Sequence, residues 1–154
     1  MMFLLWAYLT GSVIQAPAQG KPPEVCKAFE KAEVAQVVGA DATDGQTLIA
    51  GTCSWNAKGA NLSISRATFE QGEAGMLLES RKLGVRQGDI VTDETGIGQR
   101  AVSTLAANKK TLTLLAVNGN DLWTFTLSKG DQPVDVNTIL PRLRELAKKG
   151  IAAK

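Results

Sequence analysis

The sequence predicts an α+β domain, an antiparallel sheet with helices packed on one face. Three observations lead there. Apolar and polar residues alternate with period two in runs such as Cys53-Ser54-Trp55-Asn56-Ala57 and Trp123-Thr124-Phe125-Thr126-Leu127. Stretches of helical spacing precede, interrupt and follow these runs. Turn-forming residues separate neighbouring runs so closely that hairpins, not long crossovers, must join them.

The elements follow in order. Residues 27–38 carry Phe29, Val34, Val37 and Val38, and Gly39 stands where a helix stop belongs. Asp41-Ala42-Thr43-Asp44-Gly45 is turn-rich. From Thr47 the period becomes two, and the Lys58-Gly59 turn folds residues 52–57 back on Leu62 and Ile64 as a hairpin. Residues 69–83 return to helical spacing, with Phe69, Met76 and Leu83 seven apart and Leu77 beside them. Gly72 and Gly75 weaken its first turns, and Gly84 ends it. Four strands are expected next, in residues 88–95, 99–106, 110–117 and 122–128. Gly96-Ile97-Gly98 divides the first pair as a bulge or tight turn, and Asn118-Gly119-Asn120-Asp121 turns the second. In the last strand Trp123, Phe125 and Leu127 share one face and Thr124, Thr126 and Ser128 the other, which predicts a sheet covered on a single side. Val136, Ile139, Leu140, Leu143, Leu146 and Ala147 form the stripe of a final helix. Asp135 is its expected cap, Pro141 its expected kink or restart, and Gly150 its expected end.

Residues 1–18 read as a cleavable secretory signal. Met1 to Ile14 contains no charged side chain and is apolar over Phe3 to Leu9 and at Val13-Ile14, Lys21 is the first charged residue, and Ala16-Pro17-Ala18 fits small-x-small cleavage. The apolar run is shorter than the ~20 residues that span a bilayer. No Lys or Arg precedes it, so the terminal amine alone supplies the positive end, and a buried N-terminal helix or strand is the competing reading. Residues 19–154 would then form one exported domain, periplasmic or secreted. Cys26 follows Pro23-Glu24-Val25 outside the apolar run, which argues against lipidation and leaves no stable membrane anchor after cleavage.

Cys26 and Cys53 are the only cysteines. An oxidising destination predicts that they bond to each other, worth about 3.5 kcal/mol in the chain-entropy model. A reactive thiol is the alternative, with Lys27 its sole basic neighbour and no Cys-x-x-Cys motif to support it. Net charge is +2, from 17 basic and 15 acidic residues. That balance, with basic residues scattered apart from short clusters such as Lys109-Lys110, Arg142 with Arg144, and Lys148-Lys149, gives no reason to expect nucleic acid or an anionic membrane as partner.

The chain has no histidine, which removes the commonest general base, the histidine-dependent dyads and most zinc sites. Asp89, Asp93 and Glu94 are neighbours in sequence, but Glu94 points away from the other two on a strand. Asp41 and Asp44 lack the ligand repeat of a calcium loop. Gly96-x-Gly98 sits between strands with no helix after it, unlike a phosphate loop. No catalytic role, cofactor or metal is expected. Trp55 and Trp123 are the largest apolar groups of residues 19–154, and either lines a ligand pocket or packs the core. The wet face, with Thr113, Thr124 and Thr126, is a further place for a partner. Asn61-Leu62-Ser63 is a glycosylation sequon, relevant only in a eukaryotic host.

Cys26, Phe29, Glu33-Val34, Val38-Gly39 and Cys53-Ser54-Trp55, with Gly96-Ile97-Gly98-Gln99-Arg100-Ala101 and the final helix, resemble a broad group of small exported bacterial domains of unknown function. Many members of that group are lipoproteins, and this chain departs from them in lacking the lipid-accepting cysteine. The resemblance implies a disulfide from the first helix to the Cys-x-Trp strand and a periplasmic setting.

The function these readings lead to is non-catalytic: a domain that binds a protein, such as a toxin or envelope component, through sheet and loops. The alternative is a carrier holding a small apolar ligand between sheet and helices near Trp123, Phe125 and Met76, with Trp55 a further lining candidate.

Overall fold

The computed structural model describes residues 24–153. The signal-like segment and its cleavage position fall outside the described residues. Within them, seven strands form one antiparallel sheet: β1 (Gln46–Ile49), β2 (Thr52–Ala57), β3 (Ala60–Thr68), β4 (Ile90–Glu94), β5 (Arg100–Leu105), β6 (Thr111–Asn118) and β7 (Asp121–Lys129). Their spatial order is β1-β2-β3-β7-β6-β5-β4. Two meanders, β1 to β3 and β4 to β7, are therefore joined along the β3–β7 seam, which runs in register from Ala60↔Lys129 to Thr68↔Asp121. The helices are α1 (Lys31–Val38), α2 (Glu73–Leu83) and α3 (Val136–Ala152), with a short 3₁₀ turn at Val25–Ala28.

The α+β class and the antiparallel sheet are as the sequence predicts. The placement of helices on a single face is not. The 3₁₀ turn, α1 and α3 cover one face, where Trp55, Leu62, Ile64, Leu114, Phe125 and Leu143 belong to a single buried cluster. Helix α2 lies on the other face, where Ala74 and Leu78 pack on Val102, Leu115, Val117 and Leu122. The alternation explains this second core: Leu114 faces α3 while its neighbour Leu115 points to the opposite side of the pleat. Three of the strands thus bury both faces at one end of the sheet.

This also reverses the expected orientation of α2. Met76 and Leu83 are 69% and 84% exposed. A seven-residue spacing defines a helical stripe but does not say which stripe meets the sheet. The smaller Ala74 and Leu78, four apart, make the contact. The helix begins at Glu73, so Phe69 and Gly72 precede it.

The first predicted helix is broken. Cys26 and Lys27 belong to the 3₁₀ turn, and Phe29 is extended, with φ −128° and ψ 130°. Glu30 and Glu33 then form a reciprocal capping box that starts α1 at Lys31. The break turns Phe29 inward. Its ring meets Trp55, Trp123 and Phe125 edge-on, with centroids 6.1, 6.3 and 6.1 Å away. On the solvent side of Trp123, the Arg66 guanidinium lies 5.4 Å from the ring centroid, and Asp121 accepts from it at 2.6 Å.

Helix α3 shows the predicted stripe and continues through Pro141 and Gly150. Gly150 is a buried packing position, not a stop. A Cβ there would come within 2.7 Å of Phe29 Cζ and 3.2 Å of Trp123. No helix of the described residues is long and apolar enough to cross a membrane.

Candidate functional site

The four residues expected to form a ligand or partner surface do not come together. Trp55, Trp123 and Phe125 are buried in the core beneath α1 and α3. Met76 is exposed on α2, on the opposite face of the sheet. The apolar space required by a carrier near Trp123 and Phe125 is filled by Phe29, which touches both rings. The packing at these rings lends the carrier reading no support.

What the structure leaves open is an edge. β1 and β4 are the two outer strands. Outer strands present unpaired backbone groups, and most proteins protect them with charge, proline or cover. β4 follows that practice. Its Asp93 accepts from Lys82 of α2, and its Glu94 is held by Arg144 of α3. β1 does not: Gln46-Thr47-Leu48-Ile49 contains no charge and no proline, and all four residues are exposed. Leu48 and Ile49 are 61% and 69% exposed. Among the described residues, no strand pairs with the outer side of β1.

The back of this edge is rigid. Thr47 pairs with Cys53 of β2, and Cys53 is bonded to Cys26 with Cα atoms 5.2 Å apart. The Thr47 hydroxyl donates to Cys26 Sγ at 3.3 Å, because a disulfide sulfur has no proton to give. Thr43 Oγ1 accepts from the backbone N–H of Asn56 at 3.1 Å, and Thr43 N–H donates to Asn56 O at 2.7 Å. Gly45 lies flat on Trp55, so close that a Cβ would sit 2.7 Å from the indole nitrogen and 2.9 Å from Cys53 Sγ. The disulfide and Trp55 therefore support a strand that, among the described residues, has no strand on its outer side. The register shift between Thr47 and Ile49 bends the strand at its end.

The bond between Cys26 and Cys53 is the sequence expectation that the structure meets most directly, with one adjustment: it ties the 3₁₀ turn, not the first helix, to the strand bearing Trp55. The edge was not anticipated. A signal for it was present, since no charged residue occurs between Asp44 and Lys58.

Asp89, Asp93 and Glu94 are each engaged separately. Asp89 accepts from the backbone N–H groups of Arg86 and Ala107, Asp93 pairs with Lys82, and Glu94 turns to the α3 face. Asn61 of the sequon donates to Ser54 Oγ and Asn56 Oδ1, both at 2.8 Å. No family model and no curated protein matches the chain.

Proposed function

We propose that this chain is a non-catalytic binding domain of an oxidising, extracytoplasmic compartment, the periplasm or the exterior, and that it receives an extended segment of a partner protein on the outer side of β1. The observation that carries this reading is the uncharged edge strand, with Leu48 and Ile49 exposed and, among the described residues, no strand on its outer side. Strand addition uses such an edge directly: backbone hydrogen bonds supply affinity, and the outward side chains select the incoming sequence. The incoming segment would be apolar at the positions facing Leu48 and Ile49 and free of proline where its N–H groups must pair. The disulfide behind β1 supports the same reading, since a strand held rigid loses little entropy when it accepts a partner.

The test is site-specific photocrosslinking in cells of the source organism. A photoreactive residue replaces Leu48, or Thr124 on the sheet's polar face as a control. A discrete adduct from position 48 that is absent at 124, and lost when Ile49→Lys is added, is the expected result. Adducts of equal yield at both positions, or none at 48, would overturn the edge reading.

A further inference from the structure

The sheet face beside α2 carries a second pattern, separate from the edge. Reading across the strands by register, Ser54 stands opposite Ser63, Ser63 opposite Thr126, Thr126 opposite Thr113, and Thr113 opposite Thr104. Paired residues project to the same side, so five hydroxyls form a row across five strands, each step about 4.8 Å; Ser54 at the β2 end is buried and accepts from Asn61, which leaves Ser63 to Thr104 as the accessible part. A parallel row holds Thr52, Ser65 and Thr124, and another holds Asn56, Asn61, Ser128 and Thr111. These twelve positions contain no charged residue, in a chain of which 21% is charged. The hydroxyls of Ser63, Thr126, Thr113 and Thr104 exchange no hydrogen bond with any described protein group. At its Thr104 end the central row runs into a cleft of about 440 Å³, floored by Thr104, Thr111 and Thr113 and walled by Arg86, Gln87 and Asn108. Asp89 borders the same cleft, with both its oxygens already taken by backbone N–H groups. The Arg86 guanidinium has no described partner.

We propose that this face binds a neutral glycan chain, laid along the hydroxyl row with one sugar seated in the cleft. Each serine or threonine both donates and accepts, as each sugar hydroxyl does, so a polyhydroxyl ligand can exchange its water for the row without leaving a polar group unpaired. An apolar protein surface placed here would strand those hydroxyls, at a cost for each. None of the twelve positions is cationic, and Arg86 is the one cation in the cleft's lining, which gives a polyanion little to bind. The cleft lies within the size range of small-molecule sites, and its amide and guanidinium groups offer the planar donors that sugar oxygens accept. None of the twelve positions is aromatic, and Phe69 packs with α2 at the other end of this face, so binding along the rows rests on hydrogen bonds and is weak.

The experiment is an NMR titration of the intact, disulfide-bonded protein with cellohexaose and chitohexaose, and with oligogalacturonate as the anionic control. Saturable amide shifts at Thr104, Thr113 and Thr126 with a neutral hexamer, on a scale of about 1 mM, are expected. Thr113→Lys, which sets a charge in the row but leaves the buried face untouched, should weaken that binding at least tenfold. The wild-type shift map does not depend on how the variant folds. The absence of shifts with both neutral hexamers at about 10 mM, a preference for oligogalacturonate, or shifts confined to β1 would each overturn the proposal. Concentration-dependent self-association through the same amides, without sugar, would overturn it in favour of a second copy.

Discussion

Arg144 of α3 grips Glu94 of β4 from across the fold, its Nε 2.7 Å and its Nη2 2.6 Å from the same carboxylate oxygen, Oε2. The other oxygen of Glu94 accepts the buried Ser103 hydroxyl at 2.6 Å. The Glu94 side chain is only 2% exposed, whereas that of Arg144 is 38% exposed. A carboxylate withdrawn this far from water depends on its partners, because an unpaired buried charge is costly.

Arg144→Met should therefore cost about 3 kcal/mol, the lower end of the range for breaking a buried pair, since water already reaches the guanidinium. Adding Glu94→Gln to that variant should recover part of the loss by removing the stranded charge. Urea unfolding of the two single variants and the double variant measures both effects, and strictly additive losses would contradict the coupling.

The loop between β4 and β5 depends on Gly98. Its φ is +56°, and a Cβ there would stand 2.4 Å from the Val117 carbonyl oxygen, against fixed backbone. Gly119, with φ +62°, has nothing within 4 Å of the same position. Gly98→Ala is expected to lose about 2–4 kcal/mol, from left-handed strain and the clash together. Gly119→Ala should lose only about 1–2 kcal/mol, from the strain alone. Thermal unfolding of both variants separates the two contributions, and equal losses would remove the steric argument for Gly98.

The Cys26–Cys53 bond predicts that the purified, unfolded, unreduced protein has no titratable thiol. Cys53→Ser should lower stability by about 2–5 kcal/mol. The structure adds a local consequence. Amide exchange at Gln46–Ile49 should accelerate far more than exchange in β6, because Thr47 leans on Cys26 and β6 belongs to the other meander. Uniform acceleration across the sheet would mean that the bond stabilises the whole fold without supporting the edge.

Lys149 of α3 bridges to Glu33 of α1 at 2.6 Å. This hydrogen bond, aided by the Glu30 backbone N–H, holds the Glu33 carboxyl below its ordinary range. A carboxyl lowered in the folded state binds fewer protons there than in the unfolded chain, so its contribution is complete above the ordinary glutamate value of about 4.3 and disappears as pH falls through the lowered value. Both side chains are partly solvated, and the effect should stay within about 1 kcal/mol. Lys149→Ala should reduce stability near neutrality and make less difference at strongly acidic pH. A loss of the same size at every pH would exclude the linkage.

What was legible in the sequence was local. Asn118-Gly119 and the alternation from Leu122 to Ser128 placed the β6–β7 hairpin, and the period of α3 placed its buried stripe. The side on which α2 docks was not legible, because the spacing of Met76 and Leu83 carries no information about the pleat of a strand forty residues away. The burial of Glu94 was not legible for a similar reason: Arg144, which covers it, lies fifty positions later. The wet face was read from Thr113, Thr124 and Thr126, but the continuous row needed the β3–β7 register, which no local pattern specifies. The exposure of Leu48 and Ile49 was not legible because only the strand order puts β1 outermost.

The seam between β3 and β7 sets an order of events. Each meander is a run of hairpins that can close locally and quickly, but the seam pairs Thr68 with Asp121 and Ala60 with Lys129, and such distant pairing closes slowly. Both cysteines precede the seam, so the bond can form while β7 and α3 are still being made or delivered. Until they arrive, Leu62 and Ile64 face water along an open strand, the form in which a β-protein is most prone to aggregate. A chain arrested before Asp121 would be oxidised and bonded yet still expose that strand, and such a species should be the one that chaperones retain.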